Sequence, residues 1–105
     1  MKTALYLAAA ALALALPAAS HAQSGEATYK AKCLMCHAAD GSGSTPAGKA
    51  MKAIPFSAPD LIKASDAQLI ASTKNGKGKM PAFGAKLSDA EIKEAVAYIR
   101  TLQKK

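Results

Sequence analysis

The stretch Cys33-Leu34-Met35-Cys36-His37 decides how this chain of 105 residues is interpreted. Its two cysteines are three residues apart, so on one turn of helix both thiols lie on the same side. The histidine follows at once and can present an imidazole nitrogen beside them. Cys-x-x-Cys-His is the attachment signature of a c-type haem. We therefore predict one haem c bound covalently through Cys33 and Cys36, with His37 as an iron ligand.

Three other kinds of site share part of this pattern. A thioredoxin-like dithiol has the same cysteine spacing but belongs in a strand–helix context, and this sequence shows no strand alternation. A structural zinc site needs four Cys or His ligands. The chain after residue 22 has only two cysteines and one histidine. A plain disulfide remains an alternative, but it would close a loop too short to stabilise the fold much.

The iron needs a sixth ligand or an open site. Because His37 is the only histidine after residue 22, the remaining soft candidates for that ligand are methionines. Met35 lies within the motif and cannot reach the opposite face of the ring. Met51 lies in a segment that is needed to wrap one edge of the ring. Met80 precedes Pro81, which favours an extended backbone and places the thioether on a non-helical arm. We predict Met80 as the second metal ligand, with Met51 and simple packing as the alternatives.

The first 22 residues have the parts of an export signal. Lys2 gives a positive start, residues 4–16 form an apolar run, and Ser20-His21-Ala22 places small residues where a signal peptidase reads them. An uncleaved membrane anchor is the alternative, but spanning a bilayer takes about 20 apolar residues. We predict a cleaved Sec signal peptide over residues 1–22, cut after Ala22, and one domain over residues 23–105.

The exported part is basic. The chain has 14 Lys+Arg against 7 Asp+Glu, and loss of Lys2 lowers its formal net charge from +7 to +6. Export argues against nucleic acid as a partner, as do the scattered lysines, which lack the dense runs interleaved with aromatic residues that nucleic-acid binders tend to show. Four lysines lie near Met80 in the sequence: Lys74, Lys77, Lys79 and Lys86. We hypothesise that they attract an acidic protein partner, and the alternative is that they are only solvated loop lysines.

The first helix is predicted to start at Ser24, a candidate N-cap. One face of this helix carries three residues spaced four apart: Gly25, Tyr29 and Cys33. After the motif, residues 38–59 are rich in Gly, Ser and Pro and predict an irregular segment. Only short turns fit within it, over residues 48–53 and 59–63.

Two capping boxes mark the starts of a middle helix and a last helix. In each box a serine is followed three residues later by Gln or Glu: Ser65 with Gln68, and Ser88 with Glu91. The middle helix is predicted to end at Asn75-Gly76, before a second loop. The last helix has an apolar stripe that consists of Ile92, Ala95, Val96, Ile99 and Leu102. Arg100 and Gln103 lie outside this stripe. These signals predict an all-α fold.

With these parts in place, the sequence resembles the class I c-type cytochromes. The matching parts span residues 24–103: Gly25-x-x-x-Tyr29, the motif at 33–37, Lys79-Met80-Pro81-Ala82-Phe83 and Tyr98-Ile99-Arg100. The resemblance implies a small cytochrome c fold whose N- and C-terminal helices cross, with a middle helix and long loops wrapping one covalent haem. It also implies close helix approach at Gly25, with Tyr98 nearby. A proline carbonyl that supports His37 is implied as well, with Pro59 preferred to Pro46 and Pro55.

The expected function follows from a closed iron site. An iron bound by both His37 and Met80 has no open position, which favours electron transfer over substrate chemistry. No catalytic constellation stands out, so we expect an electron carrier and not an enzyme. We expect a periplasmic, monomeric, monohaem cytochrome without a membrane anchor, which meets redox partners with acidic docking surfaces. A gas-binding haem protein and a dedicated subunit of an enzyme complex are the alternatives.

Overall fold

The chain folds into helices that are joined by irregular segments. A computed structural model describes residues 21–104, with side chains from residue 24 onward. The predicted signal peptide therefore lies outside the described residues, apart from its last two. The described part contains six helices: α1 His21–Lys32, α2 Leu34–His37, α3 Pro46–Ala50, α4 Pro59–Lys63, α5 Asp66–Asn75 and α6 Asp89–Gln103. The predicted all-α fold is therefore confirmed.

The start of α1 differs from the prediction. The helix runs through Ser24 and includes His21, so Ser24 is not its N-cap. No glycine or proline lies between these two residues, and nothing local interrupts the helix there. Among the helices of residues 21–104, none is both long enough and apolar enough to cross a membrane.

Both predicted capping boxes are confirmed. The Ser65 hydroxyl accepts from the Gln68 amide at 3.1 Å, and the Gln68 side chain accepts from the Ser65 amide at 2.9 Å. Ser88 and Glu91 form the same pair of bonds at 3.1 and 2.9 Å. α5 ends as predicted, because Gly76 follows Asn75 with a φ of 80°.

The irregular segment after the motif contains two short helices, α3 and α4. Thr45 caps α3 by accepting from the Gly48 amide, and Pro46 takes the first helical position, so the helix starts earlier than the predicted turn at 48–53. α4 begins at Pro59, where the second turn was predicted.

The first and last helices pack against each other at a glycine, as the resemblance implies. A Cβ at Gly25 would overlap the Glu94 carbonyl oxygen and lie 3.1 Å from the Ala95 nitrogen. Tyr98 packs nearby, with its ring centroid 5.3 Å from that of Tyr29. Gly25 therefore permits a contact between the two helix backbones that a side chain would prevent.

Two groups of buried side chains form the core. The motif cluster consists of Tyr29, Cys33, Phe56 and Leu102. The loop cluster consists of Phe83, Leu87 and Ile92, with Ile70 and Met80 packed against it. α6 contributes to both clusters and so connects the two ends of the fold.

Candidate functional site

The motif follows directly from α1: Cys33 precedes α2, and the other four motif residues make up the whole of α2. The His37 amide donates to the Cys33 carbonyl at 3.0 Å, which closes a helical turn over the motif. The two thiols are not joined to each other: Cys33 is buried and Cys36 is half-buried. Burial, with a smaller contribution from Cys36, raises the pKa of Cys33 to about 11. Cys33 is therefore a neutral thiol at neutral pH.

The His37 imidazole lies against a phenylalanine. Its centroid is 4.6 Å from that of Phe56, and the two rings are inclined by 24°. The His37 Nδ1 atom is buried and makes no hydrogen bond with any described residue. Burial lowers the pKa of His37, which favours the neutral imidazole that can bind a metal.

The expected hydrogen bond from His37 to a proline carbonyl is absent from the described part of the chain. The preference for Pro59 is therefore wrong in this structure. Pro46 and Pro59 each begin a short helix, and the Pro55 carbonyl accepts from the Ala58 amide at 3.0 Å. Pro55 is the proline that precedes Phe56 in the chain.

The segment after the motif is held tightly against the motif backbone. The Thr45 hydroxyl donates to the Met35 carbonyl at 2.5 Å and lies 3.3 Å from the Cys36 carbonyl. A Cβ at Gly48 would overlap the Cys36 carbonyl oxygen. The backbone of α3 can therefore approach the motif only because position 48 has no side chain.

A tight turn holds the backbone of Met80. Lys77 and Met80 exchange two backbone hydrogen bonds of 3.2 and 3.0 Å, and Gly78 between them has a φ of 59°. The Met80 side chain is half-buried against the loop cluster. His37 stacks on Phe56 of the motif cluster, so the structure places the two predicted axial residues against different clusters.

A groove runs along α4 and α5, and the residues that line it include neither His37 nor Met80. Its volume is about 520 Å³, within the usual range for ligand sites. Leu61 lines the groove and also packs against the motif cluster, whereas Lys77 lines it from the Met80 turn. The other lining residues come from α4, α5 and the junction between them: Asp60, Lys63, Ala64, Gln68, Leu69, Ala71 and Ser72.

The four lysines of the predicted docking surface differ in their contacts. Lys74 forms an ion pair of 3.1 Å with Asp89, and the Lys86 ammonium lies 5.7 Å from the Phe83 ring centroid. Lys77 and Lys79 are exposed in the Met80 turn. These two lysines form no ion pair with a residue of the described chain and leave their charge available to a partner.

Sequence reasoning missed three residues that support the site. Phe56 covers one face of the His37 ring. Arg100 and Gln103, predicted to lie outside the apolar stripe, donate from α6 to backbone carbonyls of the segment around α4: Leu61 and Ala64 for Arg100, Phe56 and Leu61 for Gln103. The three-residue spacing of Arg100 and Gln103, on one face of α6, was the available signal.

The chemistry of these side chains fits a haem held by two thioethers. Cys33 and Cys36 are unpaired thiols on one turn of the chain. The buried Nδ1 of His37 lacks a partner among the described residues, as expected for a ring that belongs to a site the protein does not complete alone. Met80 offers a soft sulfur donor, half-buried against the loop cluster.

Comparisons with known proteins agree with this chemistry. The family described as "Cytochrome C oxidase, cbb3-type, subunit III" matches residues 20–99. Cytochrome c6 of Picosynechococcus sp. is 35% identical over 101 residues, which cover 91% of this chain and 86% of that protein. Cytochrome c-555 of Chlorobaculum thiosulfatiphilum is 39% identical over 80 residues, 74% of this chain and 92% of that protein.

A larger relative also matches. The "Cbb3-type cytochrome c oxidase subunit CcoP" of Azospirillum brasilense is 33% identical over 86 residues. The matched region covers 80% of this chain but only 29% of that protein. The similarity is therefore to one part of a longer subunit.

Proposed function

The chain belongs to the class I c-type cytochromes, and on this premise we propose that it carries single electrons between redox partners through one covalent haem. The observation that carries the proposal is the Cys33-x-x-Cys36-His37 turn, with two unpaired thiols and a buried, unpartnered imidazole nitrogen. Haem, when bound, supplies an iron that cycles between two oxidation states.

The residues proposed to hold the haem have separate roles. Cys33 and Cys36 would bind the porphyrin through thioethers, and His37 would bind the iron. Met80 would be the other protein ligand to the iron, and its sulfur would favour the ferrous state. The exposed side chains of Met35 and Met51, 76% and 42% accessible, make them poorer candidates. Leu61, which packs against the motif cluster, offers an apolar surface beside the ring.

An optical spectrum of the purified holoprotein in both redox states tests this assignment. We expect a low-spin iron, with a sulfur-to-iron charge-transfer band in the oxidised form. The band should disappear in Met80→Ala and persist in the matched control Met51→Ala. Replacing Cys33 and Cys36 together by alanine should abolish covalent attachment. Survival of the band in Met80→Ala would overturn the ligand assignment.

The basic surface beside Met80 is proposed to attract an acidic protein partner. Lys77 and Lys79 are the exposed charges that this role uses, and attraction of this kind weakens with salt. The double variant Lys77→Ala/Lys79→Ala should slow electron transfer and flatten its salt dependence. Lys49→Ala/Lys104→Ala removes the same charge elsewhere and should have little effect. Equal effects of the two double variants would contradict local docking.

We also propose that the protein works in the periplasm as a monomer after removal of residues 1–22. The mass of the purified protein tests cleavage, because the mature chain should begin at Gln23 and carry one haem. Gel filtration tests the monomer. A mass that includes residues 1–22 would contradict the proposed processing.

A subunit role is the second candidate. The matched family is described as an oxidase subunit, and the Azospirillum brasilense relative is a subunit of that kind. In this role the chain would relay electrons within a stable complex. Purification without detergent, followed by identification of bound proteins, separates the candidates. A stoichiometric partner that resists high salt would favour the subunit, and the free protein alone would favour the carrier.

A further inference from the structure

We propose that Phe56 is a positioning residue that sets the plane of the His37 imidazole. The two rings stack with their centroids 4.6 Å apart and their planes inclined by 24°. Phe56 is 8% exposed, so its ring belongs to the protein interior and not to a mobile surface. The inference rests on the proposed function, in which His37 is an iron ligand.

The His37 ring lacks the support that orients most metal-binding histidines. Such a ring commonly donates from its second nitrogen to a carbonyl or carboxylate, which fixes its rotation. In the described chain, Nδ1 of His37 is buried and makes no hydrogen bond. Rotation of the imidazole is then restrained by the groups that pack on its two faces. Phe56 covers one of these faces.

Phe56 is itself held in place from three sides. Its amide donates to the Gly41 carbonyl at 3.0 Å, and its carbonyl accepts from the Gln103 side chain at 3.1 Å. The Tyr29 ring meets the Phe56 ring edge-on, with centroids 6.2 Å apart. A Cβ at Gly41 would lie 2.5 Å from the Phe56 ring, so the ring already occupies the space that another residue would fill. Phe56 is therefore a fixed surface for His37.

Orientation of the imidazole has a spectroscopic signature of its own. Together with the orientation of the methionine sulfur, the plane of a bound imidazole selects the iron d orbital that holds the unpaired electron of ferric low-spin iron. That orbital sets how the paramagnetic shift is distributed over the four haem methyl groups. A change of ring plane therefore redistributes the methyl resonances, while the ligands and the optical spectrum stay the same.

Proton NMR of the oxidised holoprotein tests the positioning role. Phe56→Leu should redistribute the four methyl shifts and shift the reduction potential, with the charge-transfer band retained. Phe56→Tyr keeps the stacked ring and should restore the wild-type pattern. Leu102→Val, in the same cluster and similarly buried, should leave the pattern unchanged. A wild-type pattern in Phe56→Leu, or the same redistribution in Leu102→Val, would overturn the proposal.

Two further results keep the inference separate from the proposed function. If Phe56→Leu does not fold, Gln103→Leu keeps the phenyl side chain but removes the hydrogen bond that anchors the Phe56 backbone, so the ring can shift against His37. It should cause a smaller redistribution, and an unchanged pattern would overturn the positioning role. If the wild-type protein carries no covalent haem, the proposed function is overturned and this inference with it. If haem and ligands are as proposed and only the methyl shifts fail to respond, the positioning role alone is wrong.

Discussion

Replacing Gly25 by alanine tests the contact between the first and last helices. In the structure, an added Cβ overlaps the Glu94 carbonyl oxygen and lies 2.5 Å from the Glu94 carbonyl carbon. Ordinary contacts between carbon atoms are about 3.5–4.0 Å. The two helices must therefore move apart by about 1 Å at this point, because a backbone carbonyl within α6 cannot rotate away.

The expected loss of stability is the difference between two effects. Overpacking of a well-packed interface costs about 1–3 kcal/mol, and the upper part of this range applies because the obstacle is backbone. The separation also loosens fully buried neighbours such as Tyr29 and Val96. Alanine regains up to about 1 kcal/mol over glycine through helix propensity. We expect a net loss of about 2 kcal/mol, or roughly 8–16 °C in Tm for a domain of this size.

Urea and thermal unfolding of the holoprotein, followed by far-ultraviolet circular dichroism, measure this loss. Ala31→Gly is the matched control, because Ala31 is exposed on the same helix and its replacement should cost about 1 kcal/mol through propensity alone. If Gly25→Ala is as stable as the wild type, or more stable, the reasoning about the helix contact is wrong.

Three further predictions concern residues outside the proposed iron ligands. Arg100→Ala removes hydrogen bonds to two backbone carbonyls and should lower the free energy of urea unfolding by about 2–4 kcal/mol. Asp66→Asn breaks only an exposed ion pair and should cost under about 1 kcal/mol. Equal losses in the two variants would contradict this ranking. Ser88→Ala removes a helix cap and should lower the urea midpoint by an amount worth about 1 kcal/mol, which Ser88→Asp should largely restore. Tyr29→Phe removes a 2.5 Å hydrogen bond to the Ala38 carbonyl and should cost about 1–2 kcal/mol. Burial raises the pKa of Tyr29 above its ordinary 10.0, so the folded state holds this proton more tightly and stability falls as pH rises past 10.0. Between about pH 9 and 11, Tyr29→Phe should therefore lose less unfolding free energy than the wild type. Parallel plots of unfolding free energy against pH for the two proteins would refute this.

Local signals predicted much of the fold. The capping boxes at Ser65 and Ser88 and the helix end at Gly76 involve residues within four positions of each other. Such bonds depend on the local sequence, so the pattern alone identified them. The start of α1 at Ser24 was wrong for the opposite reason, because a serine can cap a helix or continue it, and packing of the helix decides which.

The candidate donor groups can be read from the chain without its structure: two thiols and an imidazole on one turn, and a methionine on a non-helical arm. The surroundings of those groups depend on how the helices pack. Phe56 covers His37 although 19 positions separate them, and α6 reaches back through Gln103 to hold Phe56. Contacts between distant residues depend on how whole helices pack. The length and periodicity of one segment carry no information about which other segment packs against it. The candidate ligands could therefore be named from the sequence, whereas the ring contact between Phe56 and His37 could not.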